Sequence, residues 1–240
     1  MTDSAALVAR LDDVRSRIAD AARRARRDPA TVRLVAVSKT FPAVAVRAAA
    51  AAGQVDFGEN KLQERLAKMA ETNDLPALRW HLLGHLQSNK AKKAGACFDV
   101  IHSVDDATLL PLIDRGAAHV GRTVDALIQV DLAGETTKFG LRPDTLRPVF
   151  DAAERLSRVR VVGLMLLPPA TPNPEGARPY FSALRRLRDD LLTAGIPPSS
   201  LRELSMGMSH DFEVAIEEGA TMVRVGTAIF GSRPAPAPIG

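Results

Sequence analysis

Hydrophobic positions along this 240-residue chain follow two rhythms. Near the start, Leu7, Leu11, Val14, Ile18 and Ala21 recur every three or four residues, the spacing of an amphipathic helix. Asp28 and Pro29 mark its end. Beyond them come short apolar runs of strand length, at 33–38, 55–58, 79–84, 98–104, 124–132, 159–166, 201–207 and 222–230. Helix-like stretches lie between, at 42–53, 60–73, 88–96, 105–119, 143–157, 175–195 and 210–219. Repeated strand–helix units imply parallel strands with helical crossovers. Eight strands suit an α/β fold of the closed (β/α)8 TIM-barrel type, with the first helix as an extra N-terminal element. An open doubly wound sheet usually carries G-x-G-x-x-G after its first strand. Here that strand runs into Ser38-Lys39-Thr40-Phe41-Pro42, without a glycine, and the barrel is favoured.

Length supports the same reading, because α/β barrels of this size commonly form one domain. The expected domain is 1–232, followed by a Pro-rich tail at 233–240. The Pro-rich segment 166–179 reads as a loop after the sixth strand. Apolar residues make up 46% of the chain and aromatics only 4%, so aliphatic side chains must fill the core. The charge balance is close to even, at +4. A single cysteine, Cys97, forbids an internal disulfide and fits a reducing compartment. The N-terminus lacks a signal-peptide apolar region and no apolar run approaches the ~18 residues of a membrane span. A soluble cytoplasmic protein is expected.

Candidate chemistry gathers where such barrels place it, at the carboxyl ends of the strands. Lys39 closes the apolar run Leu34-Val35-Ala36-Val37. Partial burial there favours the uncharged amine that Schiff-base formation needs, whereas a solvated loop lysine is the plainer alternative. Barrel enzymes often hold phosphate in the loops after strands seven and eight. The first of those loops is Ser205-Met206-Gly207-Met208-Ser209, leading into a helix that Ser209 could cap. The second is Gly226-Thr227-Ala228, with a glycine for close approach and a hydroxyl. Asp211 and Glu213 would repel phosphate if they pointed at it. Arg224 alternates with Val223 and Val225. Facing inward, its guanidinium needs a partner, such as an aromatic nitrogen; facing outward, it is an ordinary surface charge.

The segments VAVSKT, FGENKLQE, WHLLGHLQSNKAK, IHSVD, GLM and LSMGMSHDFEVAIEEGATMVRVGTAIFG occur in order between Leu34 and Gly231. Together they resemble the pyridoxal-phosphate homeostasis proteins, whose barrel is like the N-terminal domain of alanine racemase. The resemblance implies pyridoxal 5'-phosphate as cofactor and Lys39 as its Schiff-base lysine. It implies that Arg224 faces the pyridine nitrogen and that Ser209, Gly226 and Thr227 hold the phosphate, with Met208 alongside. Asn60 is implied as a residue of the ring pocket. The chain departs from the family pattern at Lys61, at His210 and at Leu166-Leu167, all at the rim of the expected pocket.

Other chemistry is weaker. His81, His85 and His102 could make a metal site, but no Asp/Glu pattern supports one. Lys138 competes with Lys39 from a polar, Gly-flanked loop. The run Arg23, Arg24, Arg26, Arg27 lacks interleaved aromatics and reads as a solvated helix face, not a nucleic-acid site. Racemases of this barrel type add a second domain and use a tyrosine as acid/base. The only tyrosine here, Tyr180, is poorly placed for that. The expectation is therefore an intracellular store, buffer or donor of pyridoxal phosphate without robust catalysis. Its expected partners are the cofactor and PLP-dependent apo-enzymes, with no nucleic acid and no membrane, and the chain is expected to be a monomer. The alternatives are a PLP-dependent racemase or decarboxylase, and a Schiff-base aldolase, against which the resemblance argues.

Overall fold

A computed structural model describes residues 4–134 and 139–232. The eight apolar runs supply eight strands: β1 (Arg33–Val37), β2 (Asp56–Glu59), β3 (Arg79–Leu82), β4 (Val100–Val104), β5 (Val124–Val130), β6 (Val159–Leu166), β7 (Glu203–Met208) and β8 (Met222–Val225). They form a closed barrel in chain order, all neighbours parallel, with β8 paired back onto β1. Nine helices accompany them among the described residues: α1 (Ser4–Arg24), α2 (Ala43–Ala51), α3 (Leu62–Thr72), α4 (Ser88–Cys97), α5 (Leu109–His119), α6 (Arg147–Ala153), α7 (Arg178–Thr193), α8 (Phe212–Glu217) and α9 (Thr227–Phe230). None of them is long and apolar enough to cross a membrane. The tail 233–240 lies outside the described residues.

The eighth apolar run is not strand throughout. β8 stops at Val225, and Thr227–Phe230 form the helical turn α9. An apolar run alone does not separate strand from buried helix, and Gly226 is where the change occurs. The expected helix over 143–157 is likewise split, into a short 3-10 turn at Pro143–Thr145 and α6.

Strand alternation sorts side chains into two layers. The outward set packs beneath the helices in one large core that includes Ala36, Phe57, Trp80, Ile101, Ala126, Leu164, Leu204, Val223 and Val225. The inward set makes a small apolar plug of Val100, Leu127, Val162 and Met165. At the amino-terminal end of the barrel the inward positions are charged. Arg79 lies 3.7 Å from Asp56 and 3.8 Å from Asp125, Arg33 lies 3.6 Å from Glu203, and Arg160 and Arg202 reach Asp125 at 2.9 and 3.5 Å.

α1 buries Leu7, Leu11, Val14 and Ile18 on one stripe, as their spacing predicts. Its basic face is largely engaged. Arg17 pairs with Glu213, Arg24 pairs with Glu217, and Arg10 donates to the Ile229 carbonyl, while Arg27, just past the helix, donates to that of Ile216. These bonds tie α1 to α8 and α9, the two helices that follow β7 and β8.

His81 and His102 face each other inside the barrel, His81 Nδ1 lying 2.8 Å from His102 Nε2. Both are fully buried. Burial pushes both imidazoles down, outweighing the raising effect of Asp56 on His81 and taking His102 well below its ordinary value. The unfolded chain therefore binds protons that the folded chain refuses. The corresponding stability is present above the unfolded value near 6.5 and is lost as pH falls below it. We expect urea-unfolding stability to decline from about pH 6.5 to 5 with a slope of up to ~1.4 kcal/mol per pH unit for each histidine. His102→Gln should flatten the profile; a wild-type profile already flat across that interval would contradict neutral burial.

Candidate functional site

One cavity of about 680 Å³ opens at the carboxyl ends of the strands. Its size falls in the range of small-molecule and cofactor pockets. Lys39, Asn60, Met208, Ser209, Arg224, Gly226 and Thr227 all line it. These seven residues come from four separate loops or strands, so closure of the barrel is what brings them together.

Lys39 enters from the loop after β1. The residue before it is clamped from beneath: Ser38 Oγ donates to Glu59 Oε1 at 2.6 Å, and Lys68 Nζ donates to the same oxygen at 2.5 Å and to the Ser38 carbonyl at 2.8 Å. Glu59 is fully buried and Lys68 nearly so. Burial pushes the Glu59 carboxyl up, although Lys68 and Ser38 hold its ionised form. Thr40, directly after Lys39, has a backbone φ of +68°. A β-branched residue in the left-handed region stores about 1–3 kcal/mol of strain, which the clamp and the paired strand must sustain.

Asn60 sits on the loop after β2. Its backbone N–H and that of Lys61 donate to the Glu64 carboxylate at 3.0 and 2.9 Å, half of a capping box at the start of α3. The Asn60 carbonyl packs so close to Gly84 that a Cβ there would lie 2.2 Å away. The loops after β2 and β3 can therefore touch only with glycine at 84.

Arg224 faces inward, which settles the choice that alternation left open. It is buried, and its Nη1 donates to Ser205 Oγ at 2.6 Å while Nη2 donates to the Leu166 carbonyl at 2.8 Å. Its partners in the protein are thus a hydroxyl and a carbonyl. Burial lowers the guanidinium to about 10, against the opposing pull of Asp211. At neutral pH it remains a cationic donor with N–H groups to spare.

Ser209 does not cap the helix after β7. α8 begins at Phe212, and Ser209 Oγ instead accepts from the backbone N–H groups of Gly226 and Ala228, at 3.2 and 3.5 Å. Gly207, at φ +90°, allows the turn that brings Ser209 across to the β8 loop. Hydroxyl and amides thus converge at one edge of the cavity, beside the hydroxyl-bearing Thr227. Neither acidic residue is aimed at them. Asp211 Oδ1 accepts from the Met208 N–H at 2.7 Å, and Glu213 is paired with Arg17.

Several lining residues escape sequence reasoning. His85 accepts or donates at 2.8 Å to Asp105, and its ring stacks on Phe139 at 3.6 Å between centroids. Gln129 Nε2 donates to the Phe139 carbonyl at 2.6 Å. Only Gln129, a polar break in an apolar strand, left a signal in the sequence. Of the rim departures, His210 and Leu167 line the cavity. His85 points away from the buried pair His81 and His102, and among the described residues no group of three or more His, Cys, Asp or Glu could hold a metal ion. Lys138 lies outside the described residues.

Comparison with known proteins agrees with this architecture. The family model for the alanine racemase N-terminal domain matches residues 9–234. The pyridoxal phosphate homeostasis protein of Aquifex aeolicus is 45% identical over 224 residues, covering 93% of this chain and 97% of that protein. The protein of the same name from Escherichia coli K12 is 37% identical over 225 residues, covering 93% of this chain and 95% of that one. Among solved structures, PipY of Synechococcus elongatus, with PLP bound, superposes with a TM-score of 0.82 at 43% identity, covering 94% of this chain and all of PipY. The alanine racemase of Streptomyces coelicolor, at 21% identity and a TM-score of 0.69, shares the fold; the match covers 97% of this chain but 60% of the racemase. The barrel and its lined mouth thus define a protein of the alanine racemase N-terminal domain class. Within that class, this chain belongs to the pyridoxal phosphate homeostasis protein family.

The clamp beneath Lys39 yields a prediction. Lys68→Met leaves the Glu59 carboxylate buried without its cation and should destabilise the fold by about 3–5 kcal/mol in denaturant unfolding. Glu59→Gln combined with Lys68→Met should cost clearly less. Equal losses for the single and double variants would mean that the ion pair is not what holds the loop.

Proposed function

We propose that this chain holds pyridoxal 5'-phosphate at the barrel mouth as a Schiff base with Lys39, and stores, buffers or delivers it without robust catalysis. The observation that carries the reading is the meeting of three different holders around one cavity: an amine at Lys39, a buried cationic donor at Arg224, and a hydroxyl–amide cluster at Ser209, Gly226 and Ala228. An aldehyde, a ring nitrogen and a phosphate are the groups that such a set complements. Ser209 and Thr227 would grip the phosphate, with Gly226 giving backbone access and Met208 alongside, and Asn60 would line the ring. PipY, a relative at 43% identity, has been solved with PLP bound, which supports the same ligand here.

When bound, the cofactor supplies an electron sink whose strength depends on a protonated ring nitrogen. Arg224 stays charged and can only donate, so it favours an unprotonated nitrogen and a weak sink. Tyr180, the only tyrosine of the chain, is not among the residues lining the cavity. Both features support a carrier over a racemase or decarboxylase. All seven proposed contacts come from one chain, so a monomer suffices. Cys97 is buried and free, as suits the cytoplasm, where PLP-dependent apo-enzymes would receive the cofactor.

Lys39→Ala should abolish the visible absorption band of PLP-treated protein while leaving thermal unfolding within a few degrees of wild type. A full-strength band in a folded Lys39→Ala variant would assign the linkage to another amine.

A further inference from the structure

Beneath Arg224 the barrel contains a row of polar side chains that the proposed function leaves unused. Ser205 on β7, His102 on β4, His81 on β3 and Asp56 on β2 follow one another through the interior. Arg224 Nη1 is 2.6 Å from Ser205 Oγ, and Ser205 Oγ is 2.8 Å from His102 Nδ1. His102 Nε2 is 2.8 Å from His81 Nδ1, and His81 Nε2 is 2.8 Å from Asp56 Oδ1. Ser205, His102 and His81 have no solvent exposure at all. Asp56 lies at the opposite end of the barrel from the cofactor cavity and lines a second cavity of about 360 Å³ beneath α1.

The carboxylate end, with both imidazoles neutral, fixes the direction of every link. A guanidinium only donates and a carboxylate only accepts. Ser205, accepting from Arg224, gives its own hydrogen to His102 Nδ1. His102 then carries its hydrogen on Nε2 and gives it to His81 Nδ1. His81 carries its hydrogen on Nε2 and gives it to Asp56. Both imidazoles are neutral, both are the same tautomer, and each ring nitrogen is used once. Reversing a link would require an additional proton in the interior.

We propose that Asp56, His81, His102 and Ser205 form a directional hydrogen-bond relay that positions Arg224 and transmits the charge at the far end of the barrel to the ring-nitrogen side of the cofactor cavity. The proposal rests on the reading of Arg224 as the donor to that nitrogen. Its members are positioning residues, since none but Arg224 would touch the cofactor. A chain with a cation at one end and an anion at the other is polarised along its whole length. Ionised Asp56 draws each hydrogen toward itself, leaving Ser205 Oγ a stronger acceptor and offsetting part of the Arg224 charge.

The surrounding charges are compatible with this direction. Burial pushes Asp56 up, but His81, Arg33 and Arg79 outweigh it and hold the carboxyl below its usual value. His81 also faces Arg33 and Arg79, and His102 faces Arg224 and Arg33, all of which disfavour a charged imidazole. Arg224 also feels Asp211. On the cavity side, His85, His210 and Asp211 share the lining with Lys39.

Two measurements test the relay. In cofactor-free protein, ¹⁵N NMR should show His81 and His102 as neutral Nε2–H tautomers from about pH 6 to 8, and Ser205→Ala should shift the His102 Nδ1 signal. An Nδ1–H tautomer, or protonation of either ring in that interval, would overturn the proposal. In PLP-loaded protein, the pH midpoint of the visible band should fall in Asp56→Asn, because an offsetting anion is lost. The same substitution in a Ser205→Ala background should move the midpoint by at least ~0.4 pH unit less, the coupling expected of residues in one network. Additive shifts would show that Asp56 acts through space and not through the relay. Should Asp56→Asn fail to fold, His102→Gln replaces it in the same cycle. Wild type without a visible band would overturn the proposed function, and the tautomers would then decide the relay alone.

Discussion

A guanidinium buried inside a closed barrel is costly unless its donors find partners. Arg224 is such a group, and the interior is arranged to receive it. The barrel plug is apolar where nothing polar needs to be met, at Val100, Leu127, Val162 and Met165. It is polar along the path that begins at Arg224, with Ser205, His102 and His81 placed end to end. The Leu166 carbonyl at the end of β6 takes a second donor. What remains of the donor capacity belongs to the cavity. In the proposed function, the same charge that helps to hold the cofactor also keeps its ring a poor electron sink, so retention and restraint have one cause.

The outer layer supports the same site. Glu59, Lys68 and Ser38 lock the end of β1, so that Lys39 and the strained Thr40 emerge from a fixed base. α1, the element added ahead of the barrel, bonds to α8 and α9 through Arg17, Arg24 and Arg10. Those two short helices follow the loops that carry Ser209 and Gly226. An N-terminal helix that does not itself line the cavity thereby steadies the edge of the cavity where the hydroxyl and amides converge.

Local pattern made the eight strands legible, because strand periodicity and turn residues are written within a few positions of each other. What depends on contact between distant segments was not legible. Ser209 reads as a helix cap in isolation, yet its oxygen reaches across to Gly226 and Ala228 on the next strand's loop. Alternation could not choose a face for Arg224, since both faces of a barrel strand are buried. The pairing of His81 with His102 joins two strands through their register, and their spacing in the chain shows nothing of it. Nothing local to α3 marks Lys68, which is nearly buried against Glu59. The run through Phe230 looked like strand because apolar composition is shared by strands and buried helices; only Gly226 marks the break.

A site that retains pyridoxal phosphate without making it a catalyst should leave the α-protons of amino acids alone. The most direct measurement is solvent deuterium incorporation at the α-carbon of amino acids, followed by NMR with PLP-loaded protein in D₂O. The expected result is exchange no faster than with free pyridoxal phosphate at the same concentration. Rapid, stereospecific exchange by the wild-type protein would contradict it and identify the site as that of an enzyme.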